Sequence, residues 1–236
     1  DTKLAQASAV FNSTSDPRGP SVTLQLDRPV PLIKDQQYVL KIETTGSGLS
    51  ISGSAIVNET DYDFPLPFRV DGYDPYRGMY SNDDLTLQVY WADDASKIDR
   101  FVNILSKADY IAIPTNHQYA QITRVPERYP LTTFYYRELL GCPEEEDIIK
   151  CYRTAEPGMY EGKLGFELEE VFTTYPTLGP LVINDQSAEE AFTFYDHPKV
   201  LIFKKTDSFN AENVRAILST VDLSKAVQLT PKDFAS

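Results

Sequence analysis

The chain has no long apolar run. None of its 236 residues lies in a stretch that approaches the ~20 residues needed to cross a bilayer as a helix. Basic residues are scarce beside acidic ones, 22 Lys and Arg against 35 Asp and Glu, for a formal net charge of −13. Nucleic acid and anionic membrane surfaces both need a basic face, so neither is an expected partner. The acidic residues are spread along the chain, as on a solvated surface. Histidine occurs twice, at 117 and 197, and cysteine twice, at 142 and 151. Two cysteines cannot close a zinc site alone, and neither histidine has ligand spacing to them. Also missing are a GxSxG nucleophile turn, a phosphate-binding glycine loop and an HExxH helix. No apolar leader stands ahead of Asp1, which leads to the expectation of a mature protein or an excised fragment.

What is present reads first as strands. Residues 1–20 are polar, with Pro17, Gly19 and Pro20, and leave room for one strand near Ala9–Asn12. Ser21–Leu26 and Gln37–Glu43 alternate apolar and polar residues, Leu49–Val57 is a third strand, and Leu85–Trp91 sets Leu85, Leu87, Val89 and Trp91 on one face. Short alternating strands with turn signals and no helix between them predict an antiparallel, jelly-roll-like β-sandwich over residues 1–93.

The pattern changes at Asp93. Asp94 or Ser96 caps a helix whose Ile98, Phe101, Val102 and Leu105 recur at helical spacing. A strand follows at Asp109–Ile113, then a polar loop with Asn116, His117 and Gln118, then a helix over Leu131–Leu139. Phe166–Thr173, Phe192–Tyr195 and Val200–Lys204 are strand candidates, the last two flanking an Asp196-His197-Pro198 turn. Asn210 caps a last helix. Residues 94–236 therefore read as a small α/β domain, and the chain as α+β overall.

Several clusters have chemical interest. Asn116 and His117 sit in the loop after a strand, where α/β layers place sites, with Arg128 nearby in sequence. A lone loop histidine is more often a hydrogen-bonding residue than a base. Tyr73, Tyr76 and Tyr80, with Arg77, lie in a Gly/Pro/Asp-rich passage, and amphipathic aromatics beside polar groups suit sugars. Trp91 reads as core. Asp61, Asp63, Asp71 and Asp74 read as solvated loops, with a calcium site as the alternative. Arg124, Arg128 and Arg137 could bind a phosphate, but Glu127 and Glu138 are placed to neutralise them. Cys142 and Cys151 close a short loop if oxidised, and buried free thiols are the alternative.

Two stretches resemble a known family. ADYIAIPTNHQYAQITRVPERYPLTTFYYREL and LGFELEEVFTTYPTLGPLVINDQSAEEAFTFYDHPKVLIFKKT look like the extracytoplasmic C-terminal region of YYY-type multi-spanning membrane proteins of Chloroflexi and archaea, and of related glycosyltransferases that use a lipid-phosphate sugar donor. The resemblance runs from about Lys97 to Phe209, nearly half the chain. It implies an extracytoplasmic accessory domain, tethered through a membrane-embedded remainder of the same polypeptide, with a glycan or protein acceptor as partner and no cofactor beyond possible calcium. The family's catalytic acidic residue lies near its first membrane helices, and nothing here corresponds to it. The resemblance therefore assigns no catalytic residue. The alternatives are a stand-alone carbohydrate-binding or adhesion module, and an independent enzyme using His117.

Overall fold

The computed structural model describes residues 3–10, 22–34, 36–45, 55–60, 85–188 and 192–227. The chain divides into two units, Asp1–Gly53 and Ser54–Ser236. The boundary expected near residue 93 falls inside the second unit.

In the first unit, two segments are tied by Asp27 N–H to Gln6 O (2.9 Å) and Gln6 N–H to Asp27 Oδ1 (3.0 Å). Among its described residues there is no strand, and Val22, Leu24, Leu26 and Leu40 are exposed. Alternation defines a face, but a strand also needs a ladder partner, and none is made among the described residues. The structure shows a mixed α+β fold; a β-sandwich is not assembled among the described residues.

The second unit holds a mixed four-stranded sheet. Its strands are β1 (Ile56–Val57), β2 (Tyr110–Ile113), β3 (Phe166–Phe172) and β6 (Val200–Lys205), in the order β1-β2-β6-β3. β1 runs parallel to β2, and β6 is antiparallel to both β2 and β3. A separate two-stranded ribbon is formed by β4 (Thr177–Leu178) and β5 (Leu181–Val182).

One sheet face carries Ile111, Ile113, Phe166, Leu168, Leu201 and Phe203, all buried. The apolar phase of FELEEVF slips by one residue after Leu168. The register between β3 and β6 shifts at that point, so the sequence slip is a β-bulge.

The described residues also form five α-helices: α1 (Ala95–Lys107), α2 (His117–Ile122), α3 (Pro130–Leu140), α4 (Ile148–Thr154) and α5 (Ala211–Leu218). Asp94 caps α1, accepting from Lys97 N–H at 2.9 Å, and Ile98, Phe101, Val102 and Leu105 are buried. Asn210 caps α5 in the same way. The first residue of α3 is a proline, and its N-cap Tyr129 makes no side-chain cap. The carboxylate of Asp93 does that work from outside the helix, accepting from Thr132 N–H at 2.9 Å. Gly141 ends α3 at φ +84°, a left-handed position that favours glycine.

Leu85–Trp91 is not a free-standing strand. Asn58 and Thr86 form a single parallel bridge, Leu87 N–H reaches Asn58 O, and Val89 N–H reaches Glu59 O. Gln88 then takes φ +53°, and Trp91 N–H closes a turn on Gln88 O. The turn carries Trp91 off the face it was expected to share. Leu85, Leu87 and Val89 are buried, but Trp91 is 48% exposed, with the Arg100 guanidinium 4.8 Å from its ring centre.

Behind the sheet, Tyr119, Tyr135, Tyr136 and Tyr152 form a buried aromatic cluster. Tyr119 stacks on Tyr152 at 4.6 Å, Tyr152 Oη donates to Tyr136 O, and Tyr136 Oη donates to the buried Glu59 carboxylate. Glu59 sits in the Asn58-Glu59-Thr60 sequon, and Asn58 is itself buried with Nδ2 bonded to Thr60 O. A glycan needs a surface asparagine, so that sequon is structural in the folded unit. Among the described residues no helix is long and apolar enough to cross a membrane.

Candidate functional site

β2 and β6 are antiparallel, with Ile113 opposite Leu201. The chain leaving β2 and the chain arriving at β6 therefore meet at one end of the sheet. That end is the carboxyl end of β2, where the sequence sets Asn116 and His117.

His117 opens the short helix α2 and is not in a loop, as the sequence suggested. Its N–H is held by Thr115 Oγ1 at 3.1 Å. Asn116 occupies the N-cap position, yet its side chain makes no cap bond. It turns away, and Nδ2 donates to Thr193 Oγ1 at 2.6 Å. Asn116 is only 3% exposed, and its Oδ1 is left without a hydrogen-bond partner.

Thr193 belongs to a π-helical turn over Phe192–Asp196, where a strand was expected. His197 N–H closes it on Phe192 O at 3.0 Å. The extra residue in such a turn displaces side chains from ordinary helical positions, and π-turns recur at functional sites. Here the turn lays Phe194 against His117, ring centres 4.6 Å apart.

Upstream of the turn, Gln186 N–H bonds Asn184 Oδ1 (3.1 Å) and Ala188 N–H bonds Asp185 O (2.8 Å). This tight turn buries Gln186 to 8% exposure, with its Nε2 unpartnered. Asp185 Oδ2 lies 3.3 Å from His197 Nδ1, close enough for an ion pair but not aligned as a hydrogen bond, and Asp185 Oδ1 is unpartnered. Buried polar atoms are ordinarily satisfied, so the unpartnered Asn116 Oδ1, Gln186 Nε2 and Asp185 Oδ1 stand out on these two connections. The His117–Phe194 pair, its rings tilted by 33°, adds aromatic character.

Asn116 and His117 thus come together with two residues the sequence had not singled out, Thr193 and Phe194, while Asp185 is tied to His197 just before β6. The polar run Asn184–Ser187, after a long uncharged stretch, was the available signal. Arg128 does not join them, and its guanidinium lies 5.2 Å from the ring centre of Tyr129. Two members of the expected Arg–Glu network have other partners. Arg137 donates to the carbonyls of Pro143 and Glu146, and Glu138 pairs with Lys163 at 2.9 Å.

Cys142 and Cys151 are joined as a disulfide between the end of α3 and α4. Tyr73, Tyr76, Arg77 and Tyr80, and the calcium candidates Asp61, Asp63, Asp71 and Asp74, lie outside the described residues. Among the described residues no group of three or more His, Cys, Asp or Glu side chains is placed to hold a metal ion.

No family model matches the chain, and no curated protein and no solved structure matches it either.

Proposed function

We propose that this chain is an extracytoplasmic accessory domain of a membrane-embedded, glycosyltransferase-like protein, and that it positions a glycan or a glycan-bearing acceptor rather than catalysing transfer. The observation that supports it is the set of buried, unpartnered polar atoms on Asn116 and on the Asp185–Gln186 turn. Asn116 Oδ1, Gln186 Nε2 and Asp185 Oδ1 are acceptor and donor atoms that a ligand hydroxyl reaching them would satisfy, and the His117–Phe194 pair brings two rings together beside Asn116. A sugar presents hydroxyls that both donate and accept, around apolar C–H faces, so this mixture suits it. The Cys142–Cys151 bridge supports an oxidising compartment. The resemblance over Lys97–Phe209 supplies the membrane tether in this reading.

Two refinements belong to the same proposal. Tyr73, Tyr76, Tyr80 and Arg77 are taken as a second sugar-contacting group, and residues 1–93 as a carbohydrate-binding sandwich. Hydrogen exchange over residues 22–60 of the whole chain tests the sandwich, since ladder amides would be strongly protected.

The decisive experiment is saturation-transfer NMR of the chain with a panel of neutral and N-acetylated oligosaccharides. Binding lost in Asn116→Ala and Gln186→Ala, with the fold retained, is the expected result. No binding across the panel would overturn the sugar reading. Membrane fractionation of the product of the native reading frame tests the tether separately. For the enzyme reading, the carboxylate stands beside His197 and not His117, whose Nδ1 faces Gln121 at 3.3 Å. His197→Gln is therefore the variant that tests acid–base chemistry here.

A further inference from the structure

The ribbon of β4 and β5 stands out for its surface. From Val171 to Asn184 the sequence has no charged residue, in a chain that is 24% charged. The strands pair Thr177 with Val182 and Leu178 with Leu181. Gly179, at φ +60°, and Pro180 make the two-residue turn, glycine at the first central position as a II′ hairpin requires. Leu178 is 73% exposed, Leu181 58% and Val182 60%, and the adjoining Ile183 is exposed as well.

Cross-strand partners share a face, so Leu178 and Leu181 lie on one face of the ribbon and Val182 on the other. Both faces are bare. A protein groove or a second copy laid against the ribbon would cover one of them. A surrounding apolar medium covers both at once.

The backbone fits the same occupant. Two residues per strand rise roughly 7 Å, which matches the ~5–10 Å depth of the interfacial layer and is far too short to span. Unpaired amides are costly in lipid, and Pro176 and Pro180 remove two of them at the base and tip. Two-residue strands are also too short to template stable edge pairing with another chain. The absence of any cation on the hairpin, in a chain of net charge −13, gives anionic headgroups nothing to attract.

We propose that the Pro176–Ile183 hairpin is a lipid-contacting loop that seats its tip in the interfacial layer of an electrically neutral bilayer. The inference rests on the hairpin alone and not on the sugar-binding reading. Either stands if the other fails.

The test is flotation of the whole chain with phosphatidylcholine vesicles. The chain is expected to float with them, and less well when phosphatidylglycerol is added. Leu178→Ser with Leu181→Ser should lower the bound fraction about tenfold, with circular dichroism unchanged because both side chains are exposed. In a Trp91→Phe background, Leu181→Trp emission should shift to the blue and be quenched by brominated lipid. The proposal fails if the unaltered chain does not float, if the double variant floats as well, or if Leu181→Trp is not quenched. It also fails if the double variant changes self-association by sedimentation while vesicle binding is nil, since a second copy would then be the occupant.

Discussion

Lys97 Nζ lies 2.6 Å from Asp93 Oδ1, and neither side chain has any exposed surface. Val89 O, Trp91 O and Thr132 Oγ1 crowd the same nitrogen within 2.7 Å and share its three protons with Asp93. The other Asp93 oxygen caps α3. One buried pair thus fastens three pieces of the second unit: the turn after Leu85–Val89, the start of α1 and the start of α3.

Breaking that pair leaves a buried charge without its partner, which costs about 3–5 kcal/mol. Lys97→Met should lower the urea-unfolding free energy by that amount. Adding Asp93→Asn to Lys97→Met removes the orphaned charge and keeps an acceptor for Thr132 N–H, so part of the loss should return. A double variant no better than Lys97→Met would show that the ion pair is not what holds α1 and α3 together.

The same lysine sets a pH dependence. Burial pushes its pKa down from 10.5 to about 8, against the opposing pull of Asp93. Between those values the unfolded chain holds a proton that the folded one has released, so this group's contribution rises with pH across the window and is lost as pH falls through about 8. Tyr135, Tyr136 and Tyr152 act the other way. Burial holds each phenol well above its ordinary 10.0, with Glu59 adding to the effect. Their contribution is complete below that value and is lost as pH climbs above it. Stability should therefore rise from pH ~8 and turn over above pH ~10. The urea midpoint as a function of pH checks this, with phenolate absorbance reporting the tyrosines. Lys97→Met should remove the rising limb alone, and a rising limb that survives in it belongs to another group.

Legibility in the sequence followed the range of the interactions. α1 could be read because its cap and its apolar stripe are both local, Asp94 followed by Ile98, Phe101, Val102 and Leu105. β2 and β6 are dense apolar runs and came out within a residue. Trp91 was misread because a single positive φ at Gln88 redirects the chain, and glutamine gives no warning of it. The π-turn at Phe192–Asp196 looks like a strand, since an aromatic alternation fits both periods over so short a length. Asn116 and His117 could be placed just beyond a strand because β2 is read locally. Asp185 and Gln186 could not be placed, because only the antiparallel pairing of β2 with β6 brings their segment to the same end of the sheet.

The disulfide offers the last test. Gly141 turns the chain out of α3, and the next residue, Cys142, is bridged to Cys151 on α4 across a separation of nine residues. Arg137 gathers the carbonyls of Pro143 and Glu146 from inside that loop, and Asp147 caps α4 by accepting from Lys150 N–H at 2.8 Å. The loop has its own hydrogen bonds, so the bridge mainly removes freedom from the unfolded chain. For a loop this short that contribution is roughly 2–3 kcal/mol. Cys142→Ser with Cys151→Ser should lower stability by that amount without changing the fold, and dithiothreitol should do the same to the unaltered chain. Arg137→Ala in the serine background should cost more than in the bridged chain, since only there does it close the loop unaided. Equal costs in the two backgrounds would mean that bridge and guanidinium do not share the work of holding α4 against α3.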